Sequence, residues 1–196
     1  MNNPLTPHDQ AALSTNLYLG GLAVAEVRKI MPLGAVNRLD GFDVPITKRK
    51  QLGLALKALG GVGRMGLKAW DVIRGADLFG IEHAQRSADI GRWTGVGNCG
   101  EQSAAAFMFL SSKRDAWPLE WINCLGRDHQ FVLIHRAEAE VGGKPLGVET
   151  WGPRAVVCDP WDNEVYPAME MLTRTRAATA AGYEAYAWVH PRRTPK

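Results

Sequence analysis

The sequence GNCGEQSAAAFMFL, at positions 97–110, contains the clearest helix signal of the chain. Asn98 is a typical N-cap residue, and Glu101 three positions later completes the pattern of a capping box. The helix predicted over residues 99–113 carries little polar surface, and a helix that is apolar on all sides is normally buried. We therefore expect one buried helix at the centre of the fold.

Strand-like sequences dominate the region that follows this helix. They are separated by turn signals, such as the Gly-Gly-Lys-Pro sequence at 142–145. The predicted strands cover residues 120–125, 129–135 and 155–159, with further candidates at 148–151 and 183–190. A buried helix followed by antiparallel strands is an α+β pattern, and α+β is the fold class that we predict.

The N-terminal half carries helical patterns instead. A helix is expected over residues 9–31, although Gly20 and Gly21 weaken it. Helical periodicity also covers residues 48–59 and 67–74 and, less regularly, residues 76–92. The chain is thus expected to combine a helical N-terminal region, residues 1–91, with a core, residues 92–196, in one compact unit.

The composition is that of an ordinary globular protein. Of the 196 residues, 46% are hydrophobic and 22% are charged, which excludes a disordered chain, a collagen-like repeat and a coiled coil. The net charge is only +3, and no stretch alternates basic with aromatic residues, so we expect no nucleic-acid partner. The apolar residues 17–27 are too few to cross a bilayer, so no membrane span is expected.

Three cysteines, Cys99, Cys124 and Cys158, are spread widely along the chain. An odd number without paired spacing indicates free thiols in a reducing compartment, and we therefore expect a cytoplasmic location. Cys124 and Cys158 lie within apolar strand sequences. They are interpreted as inert core residues, which is the usual role of a buried cysteine.

Cys99 differs from the other two because it occupies the first position of the predicted helix. Unpaired N–H groups and the positive end of the helix dipole favour an anion at such a position. A thiol at a helix N-terminus has a lowered pKa, and its thiolate is a nucleophile. Glycines flank Cys99 in place of core residues, which favours the reactive interpretation over the structural one.

A nucleophilic thiol needs a general base, and the base needs a group that orients it. His129 begins one predicted strand, and Asp159 ends the neighbouring one. Its carboxylate is expected to bind one imidazole nitrogen and leave the other for Cys99, while Cys158 points to the opposite face. The alternative is that His129 is a structural strand-end histidine and Asp159 merely begins a turn. Alternation places four side chains on one face of the predicted strand: His129, Phe131, Leu133 and His135.

The sequence gives little support for a nucleotide-binding site or a metal site. The sequence GVGRMG at 61–66 has the spacing of a dinucleotide-binding fingerprint, but a helical pattern precedes it where that fingerprint requires a strand. We interpret it as a turn between helices. The five histidines are scattered and there is no C-x-x-C motif, so we expect neither a metal ion nor a cofactor.

Three short sequences resemble a known enzyme family. GNCGE at 97–101, DHQFV at 128–132 and VCDPW at 157–161 are similar to the transglutaminase-like branch of the papain-like cysteine hydrolases. The resemblance covers residues 92–190. Within that branch the three sequences are most similar to bacterial effector toxins, which deamidate, transamidate or cleave host proteins.

The resemblance implies a papain/transglutaminase-like core in which Cys99 is the nucleophile, His129 the general base and Asp159 the orienting acid. Trp93 stands six residues before the cysteine, where papain-like proteases have a glutamine that helps to form the oxyanion hole. The backbone N–H of Cys99 is still available as one donor to the oxyanion. The peptidoglycan-cleaving relatives usually have a histidine as third member, so the aspartate argues against a cell-wall substrate.

Further contacts to the oxyanion or the substrate are assigned to a few neighbours of the predicted triad. Gln102 and the N–H groups of residues 93–96 are candidates for the second oxyanion donor. Asn98, at the predicted helix N-terminus, is a candidate for a contact to the oxyanion or the substrate. Trp161 and Trp151 are candidates for the wall of a substrate cleft, although tryptophan more often packs in a core.

The expected reaction is acyl transfer from an amide of a target protein through a thioester on Cys99. With water as acceptor it is glutamine deamidation, which we favour, and with a primary amine it is transamidation. Attack on a peptide bond would make the protein a protease, and the same fold could also serve as a non-catalytic protein-binding module. The resemblance further implies an immunity or chaperone partner and delivery into a target cell by a specialised secretion system.

Overall fold

The computed structural model of the protein describes residues 5–35, 80–137, 147–174 and 182–189. The helices predicted at 48–59 and 67–74, the glycine motif at 61–66 and the turn at 142–145 lie outside the described residues. The helices described are α1 (Pro7–Ile30), α2 (Ile81–Thr94) and α3 (Cys99–Ser111). In this part of the chain, no helix is both long enough and apolar enough to cross a membrane.

Five strands form one antiparallel sheet beside these helices. The strands are β1 (Leu119–Leu125), β2 (Gln130–Ile134), β3 (Val156–Asp159), β4 (Glu164–Pro167) and β5 (Gly182–Val189). Their order across the sheet is β4-β3-β2-β1-β5, and each neighbouring pair is antiparallel. The predicted α+β class is therefore confirmed, and the strands predicted at 120–125, 129–135, 155–159 and 183–190 all have counterparts.

Helix α1 is well defined at its N-terminus. Thr6 Oγ1 accepts the Asp9 N–H at 3.1 Å, and Pro7 occupies the first turn, where its missing N–H costs nothing. The helix ends at Ile30, close to the predicted residue 31. The two glycines in its interior do not interrupt it, because burial of one helix face against the sheet outweighs their weak helix propensity.

These two glycines offer a matched pair of substitutions. A Cβ on Gly20 would lie 2.6 Å from Val165 Cγ1 on β4, whereas a Cβ on Gly21 would meet no atom within 4 Å. Gly20→Ala is therefore expected to lower the free energy of unfolding by about 1–3 kcal/mol through overpacking. Gly21→Ala is expected to raise it by about 0.5–1 kcal/mol, as alanine does in a helix interior. Urea denaturation measures both, and equal stabilities would contradict the close packing of α1 on β4.

The sheet separates two apolar cores. The three helices cover one face, and short 3₁₀ helices (Val148–Thr150 and Ala168–Thr173) cover the other. The core beneath the helices includes Ala106, Phe107, Leu110, Trp121, Val132 and Ile134. The opposite core includes Ile122, Phe131, Leu133, Trp151, Val157 and Met171. The prediction that α3 is buried is confirmed, since Phe107 and Leu110 have no exposed surface.

Helix α2 occupies the region for which the helical pattern was irregular. It runs from Ile81 to Thr94, through the predicted boundary between residues 91 and 92, and ends at Gly95 in the left-handed conformation. Its buried residues are Ala84, Ala88 and Gly91, whose small side chains allow a close approach to α3. Helix α1 packs against α3 as well.

One predicted strand is wrong, and one observed strand was not predicted. Residues 148–151 form a 3₁₀ helix, Val148–Thr150, because the Thr150 N–H and hydroxyl both donate to Gly147 O and close a turn. Conversely, β4 was not predicted. Its chain reverses after β3 through a turn in which Asn163 has a φ of 60°, and it then pairs with β3.

The prediction that His135 shares a face with His129 is also wrong. His135 follows β2 with a φ of 57°, which ends the strand alternation. Its Nδ1 accepts a hydrogen bond from Asn16 Nδ2 at 3.1 Å, so the ring lies on the side covered by α1. There it lines a cavity of about 370 Å³ together with Ala12, Thr15, Asn16, Arg114 and Asp115.

Candidate active site

Helix α3 begins at the cysteine that the sequence singled out. Asn98 is its N-cap, and the predicted capping box forms, with the Asn98 N–H donating to Glu101 Oε2 at 2.8 Å. Cys99 is therefore the first helical residue, where backbone N–H groups have no partner within the helix. Its Sγ lies 3.8 Å from the carbonyl oxygen of Asp128, and the residue is 6% exposed.

The turn that precedes Cys99 is closely packed. A Cβ on Gly97 would lie 2.7 Å from Glu101 Cβ and 2.9 Å from Met31 Sδ, so only glycine fits without a shift of the helix. Gln102 is fully buried, and its Nε2 donates to Gly97 O at 2.6 Å. The structure thus uses the Gln102 amide, a predicted oxyanion or substrate residue, to hold this turn.

The β1–β2 hairpin positions His129. The Cys124 N–H donates to His129 O at 3.0 Å, and β2 begins at the next residue. His129 Nε2 lies 2.6 Å from Asp159 Oδ2, with His129 5% and Asp159 2% exposed. This bond uses Nε2 of the ring, and Cys99 lies close enough to His129 to influence its pKa.

The surroundings of His129 favour its protonated form. Burial lowers the pKa of His129, but the hydrogen bond with Asp159 and the charge of Asp159, together with the neighbouring Cys99, outweigh burial and raise the pKa to about 10. The ring is therefore an imidazolium at neutral pH. An imidazolium is able to act as a general acid.

Asp159 is held at the end of β3. Its Oδ2 contacts His129, and its Oδ1 accepts the Asp162 N–H at 3.2 Å, which fixes the plane of the carboxylate. Cys158 Sγ lies on the other side of the sheet, 3.6 Å from Gly20 O on α1. The prediction that Cys158 and Asp159 point to opposite faces is confirmed.

Of the two tryptophans predicted near the site, Trp161 is there and Trp151 is not. The Trp161 ring meets the His129 ring edge-on, with centroids 5.6 Å apart at 66°, and it packs against Cys99. Trp151 has no exposed surface and packs against Phe131 and Tyr183 in the opposite core. It therefore cannot line a cleft at Cys99, and that prediction is wrong.

The other two cysteines occupy unreactive surroundings. Burial, and then the charge of Asp159, raise the pKa of Cys124 to about 12. Burial is also the main cause that raises the pKa of Cys158, again with a contribution from Asp159. Both remain protonated at neutral pH, in agreement with their interpretation as core residues.

Two contacts at the site were not predicted. The backbone N–H of Asp162, three residues after Asp159, donates to the Asp159 carboxylate. The Asp-Pro-Trp-Asp sequence is typical of a turn and could have predicted this contact. His129, Asp159 and Asp162 also offer three ligand atoms within 4.8 Å of one another. The hydrogen bond between His129 and Asp159 accounts for their closeness without an ion. The second is Ala35, which lies in one buried apolar cluster with Cys99 and Trp161 and had no sequence signal.

Comparison of the chain with protein-family models, curated proteins and solved structures finds no match. The chemistry of the residues themselves is therefore the basis for a function. Trp93, six residues before Cys99, lies at the end of α2, and its side chain is 77% exposed.

Proposed function

We propose that this protein is a cysteine-dependent acyl-transfer enzyme that acts on amide groups of a target protein. One observation carries the proposal: Cys99, at the N-terminus of the buried helix α3, lies beside His129, whose Nε2 is bound by Asp159. Nucleophile, proton carrier and orienting acid in this order are the parts that covalent amide chemistry needs.

The first half of the proposed reaction forms a thioester. The Cys99 sulfur attacks the amide carbonyl carbon, and the carbonyl oxygen takes up negative charge. In the proposal, the backbone N–H of Cys99 at the first helical position stabilises that charge. His129 then donates its proton to the nitrogen, so the carbon–nitrogen bond breaks and ammonia or an amine leaves.

The second half regenerates the thiolate. Neutral His129 accepts a proton from water as the water oxygen attacks the thioester carbon, and the carbon–sulfur bond breaks. The products are a carboxylic acid and the starting thiolate–imidazolium pair. If the amide belongs to a glutamine side chain, the net reaction is deamidation, and a primary amine in place of water gives transamidation.

The resemblance of three sequences to the transglutaminase-like branch of the papain-like hydrolases favours glutamine deamidation. A helix with cysteine at its start, packed on an antiparallel sheet that carries histidine and aspartate, agrees with that branch. We extend the proposal to an effector-type role on proteins of another cell, with an immunity or chaperone partner, on the resemblance alone.

The experiment that tests the proposed function is intact-mass spectrometry of candidate target proteins after incubation with the enzyme. Wild type is expected to add about one dalton per site, because –NH₂ is replaced by –OH through the thioester. Cys99→Ala is expected to abolish the change, and Cys124→Ala, which removes a core thiol, is expected to retain it. Fragments in place of a mass gain would indicate a protease.

The alternative, a non-catalytic binding module, predicts a different pattern. No target would change mass, and Cys99 would react with iodoacetamide no faster than Cys124 and Cys158 in the unfolded chain. That pair of results would overturn the proposed function.

A further inference from the structure

An arginine near the end of α1 reaches the turn that joins β3 to β4. Arg28 lies in the last turn of α1. Its Nη2 donates to Pro160 O at 2.6 Å, and its Nε donates to Asn163 Oδ1 at 3.2 Å. These two acceptors belong to the first and the last of residues 160–163, which we call the β3–β4 turn. One planar guanidinium therefore binds both ends of the turn.

This contact differs from the usual role of a basic residue at a helix C-terminus. Such a residue stabilises the last carbonyl groups and the negative end of the helix dipole. Lys29, the next residue, has a side chain that is 78% exposed, and it forms an ion pair of 3.8 Å with Glu26 of the same helix. The two hydrogen bonds of Arg28 instead cross to a different element of the fold.

The carbonyl oxygen that Arg28 binds is also the one that closes the turn. Pro160 O accepts the Asn163 N–H at 3.2 Å. It accepts Arg28 Nη2 at the shorter distance of 2.6 Å, as is typical of a charged donor. Arg28 thus reinforces the turn from outside, at its own closing bond.

The β3–β4 turn carries groups that orient the candidate histidine. Asp159 comes directly before it, and Asp159 Oδ1 accepts the N–H of Asp162 within the turn at 3.2 Å. Asp159 Oδ2 lies 2.6 Å from His129 Nε2. Trp161, also in the turn, meets the His129 ring with centroids 5.6 Å apart. A displacement of the turn therefore alters the contacts that fix the imidazole.

We propose that Arg28 is a positioning residue of the candidate active site: it holds the β3–β4 turn so that Asp159 keeps the orientation in which it binds His129. The proposal rests on the proposed function, because it assigns the residue that maintains the acid–histidine pair of that reaction. Arg28 acts through the turn and through Asp159, not on the substrate.

The charge of Arg28 and its positioning role would affect His129 in opposite directions. A cation disfavours a second positive charge nearby, so loss of the Arg28 charge alone would raise the pKa of His129 or leave it unchanged. Loss of a well-oriented Asp159 would lower that pKa, because Asp159 is among the groups that raise it. Cys99 and Asp162 also lie beside the ring, and the substitutions below change neither.

Titration of the His129 ring by NMR of ¹⁵N-labelled protein tests the positioning role. Arg28→Met removes both hydrogen bonds, and the pKa of His129 is expected to fall from about 10 to about 9 or lower. Lys29→Met removes the same charge from the same turn of α1, so it is the matched control and is expected to titrate as wild type. Arg28→Lys keeps the charge but lacks the planar fork, and an intermediate pKa is expected.

A kinetic measurement separates positioning from substrate binding. With a glutamine-containing peptide, Arg28→Met is expected to lower kcat by at least about tenfold and to leave KM unchanged, because a misplaced histidine slows proton transfer without weakening substrate binding. Wild-type protein without activity on any target would contradict the proposed function. The NMR titration needs no substrate and decides the positioning role independently.

Circular dichroism verifies that each variant is folded. A folded Arg28→Met protein whose His129 titrates as in wild type, or at higher pH, overturns the proposal, as does an equal fall in Lys29→Met. If Arg28→Met does not fold, Asn163→Gly decides instead. It removes one acceptor of Arg28 and keeps the charge, and glycine adopts a φ of 60° without strain. A lower pKa of His129 in Asn163→Gly supports the proposal, and an unchanged one overturns it.

Discussion

Replacement of His129 by glutamine is expected to lower kcat/KM for a glutamine-containing substrate by about 10⁴-fold, the upper range for loss of a general acid–base group. The imidazole serves both halves of the proposed reaction, because it delivers a proton to the leaving nitrogen and then accepts a proton from water. Glutamine keeps a hydrogen-bonding side chain of similar length next to Asp159 but cannot titrate. Initial rates of ammonia release from a model peptide measure the effect.

A histidine outside the site provides the control for this substitution. His8 lies exposed at the start of α1, and His8→Gln is expected to retain the wild-type rate. Circular dichroism verifies that both variants are folded. A folded His129→Gln enzyme that keeps activity within tenfold of wild type would show that His129 is a structural strand-end residue.

The same imidazole is expected to set the alkaline limit of the proposed reaction. Because its pKa is raised to about 10, the imidazolium persists through neutral pH and activity is expected to fall as pH rises through about 10. Asp159→Asn removes one of the groups that raise this pKa, so the alkaline limb is expected to move to lower pH. The folded state also binds this proton more tightly than the unfolded chain, whose value is 6.5, so the contribution to stability is full below pH 6.5 and lost as pH rises to about 10.

Arg136→Met is expected to lower the free energy of unfolding by about 3–5 kcal/mol, the cost of leaving a buried charge without its partner. Arg136 binds the Glu120 carboxylate through two hydrogen bonds of 2.6 and 2.7 Å, and both residues are less than 7% exposed, at 6% and 3%. The pair joins β1 to the chain that leaves β2. Chemical denaturation monitored by tryptophan fluorescence measures the loss.

Two further variants test whether the loss of stability comes from the unpaired buried charge. Replacing both partners, Glu120→Leu with Arg136→Met, is expected to recover most of the stability, because no unpaired charge remains. Arg92→Met removes an exposed pair with Asp89, whose side chains are 58% and 54% exposed, and is expected to cost about 0–1 kcal/mol. An Arg136→Met protein no less stable than Arg92→Met would mean that the buried pair contributes nothing to the fold.

The parts of the fold that depend on local sequence agree with prediction. The Asn98–Glu101 capping box and the uniformly apolar run after it predict where α3 begins and that it is buried, and both are confirmed. Capping involves groups three residues apart, and apolarity is a property of each side chain, so neither depends on distant parts of the chain.

The errors occur where a few torsion angles decide the path of the chain. The left-handed conformation of His135 turns its ring away from the face that strand alternation assigns to it. A similar conformation at Asn163 reverses the chain and allows β4 to pair with β3. Single residues with positive φ leave little periodic signal, because many sequences adopt this conformation only when tertiary contacts favour it.

Local sequence thus specified the elements and the chemical types at the candidate site: a thiol at a helix N-terminus and a histidine and a carboxylate at strand ends. Tertiary structure alone decided how these elements meet. It brought His129 Nε2 to 2.6 Å from Asp159, placed Trp151 in the opposite core and brought Ala35 into one apolar cluster with Cys99. The reason is that each of these contacts joins distant segments, and the packing of two cores on one sheet, which no short sequence encodes, sets their relative positions.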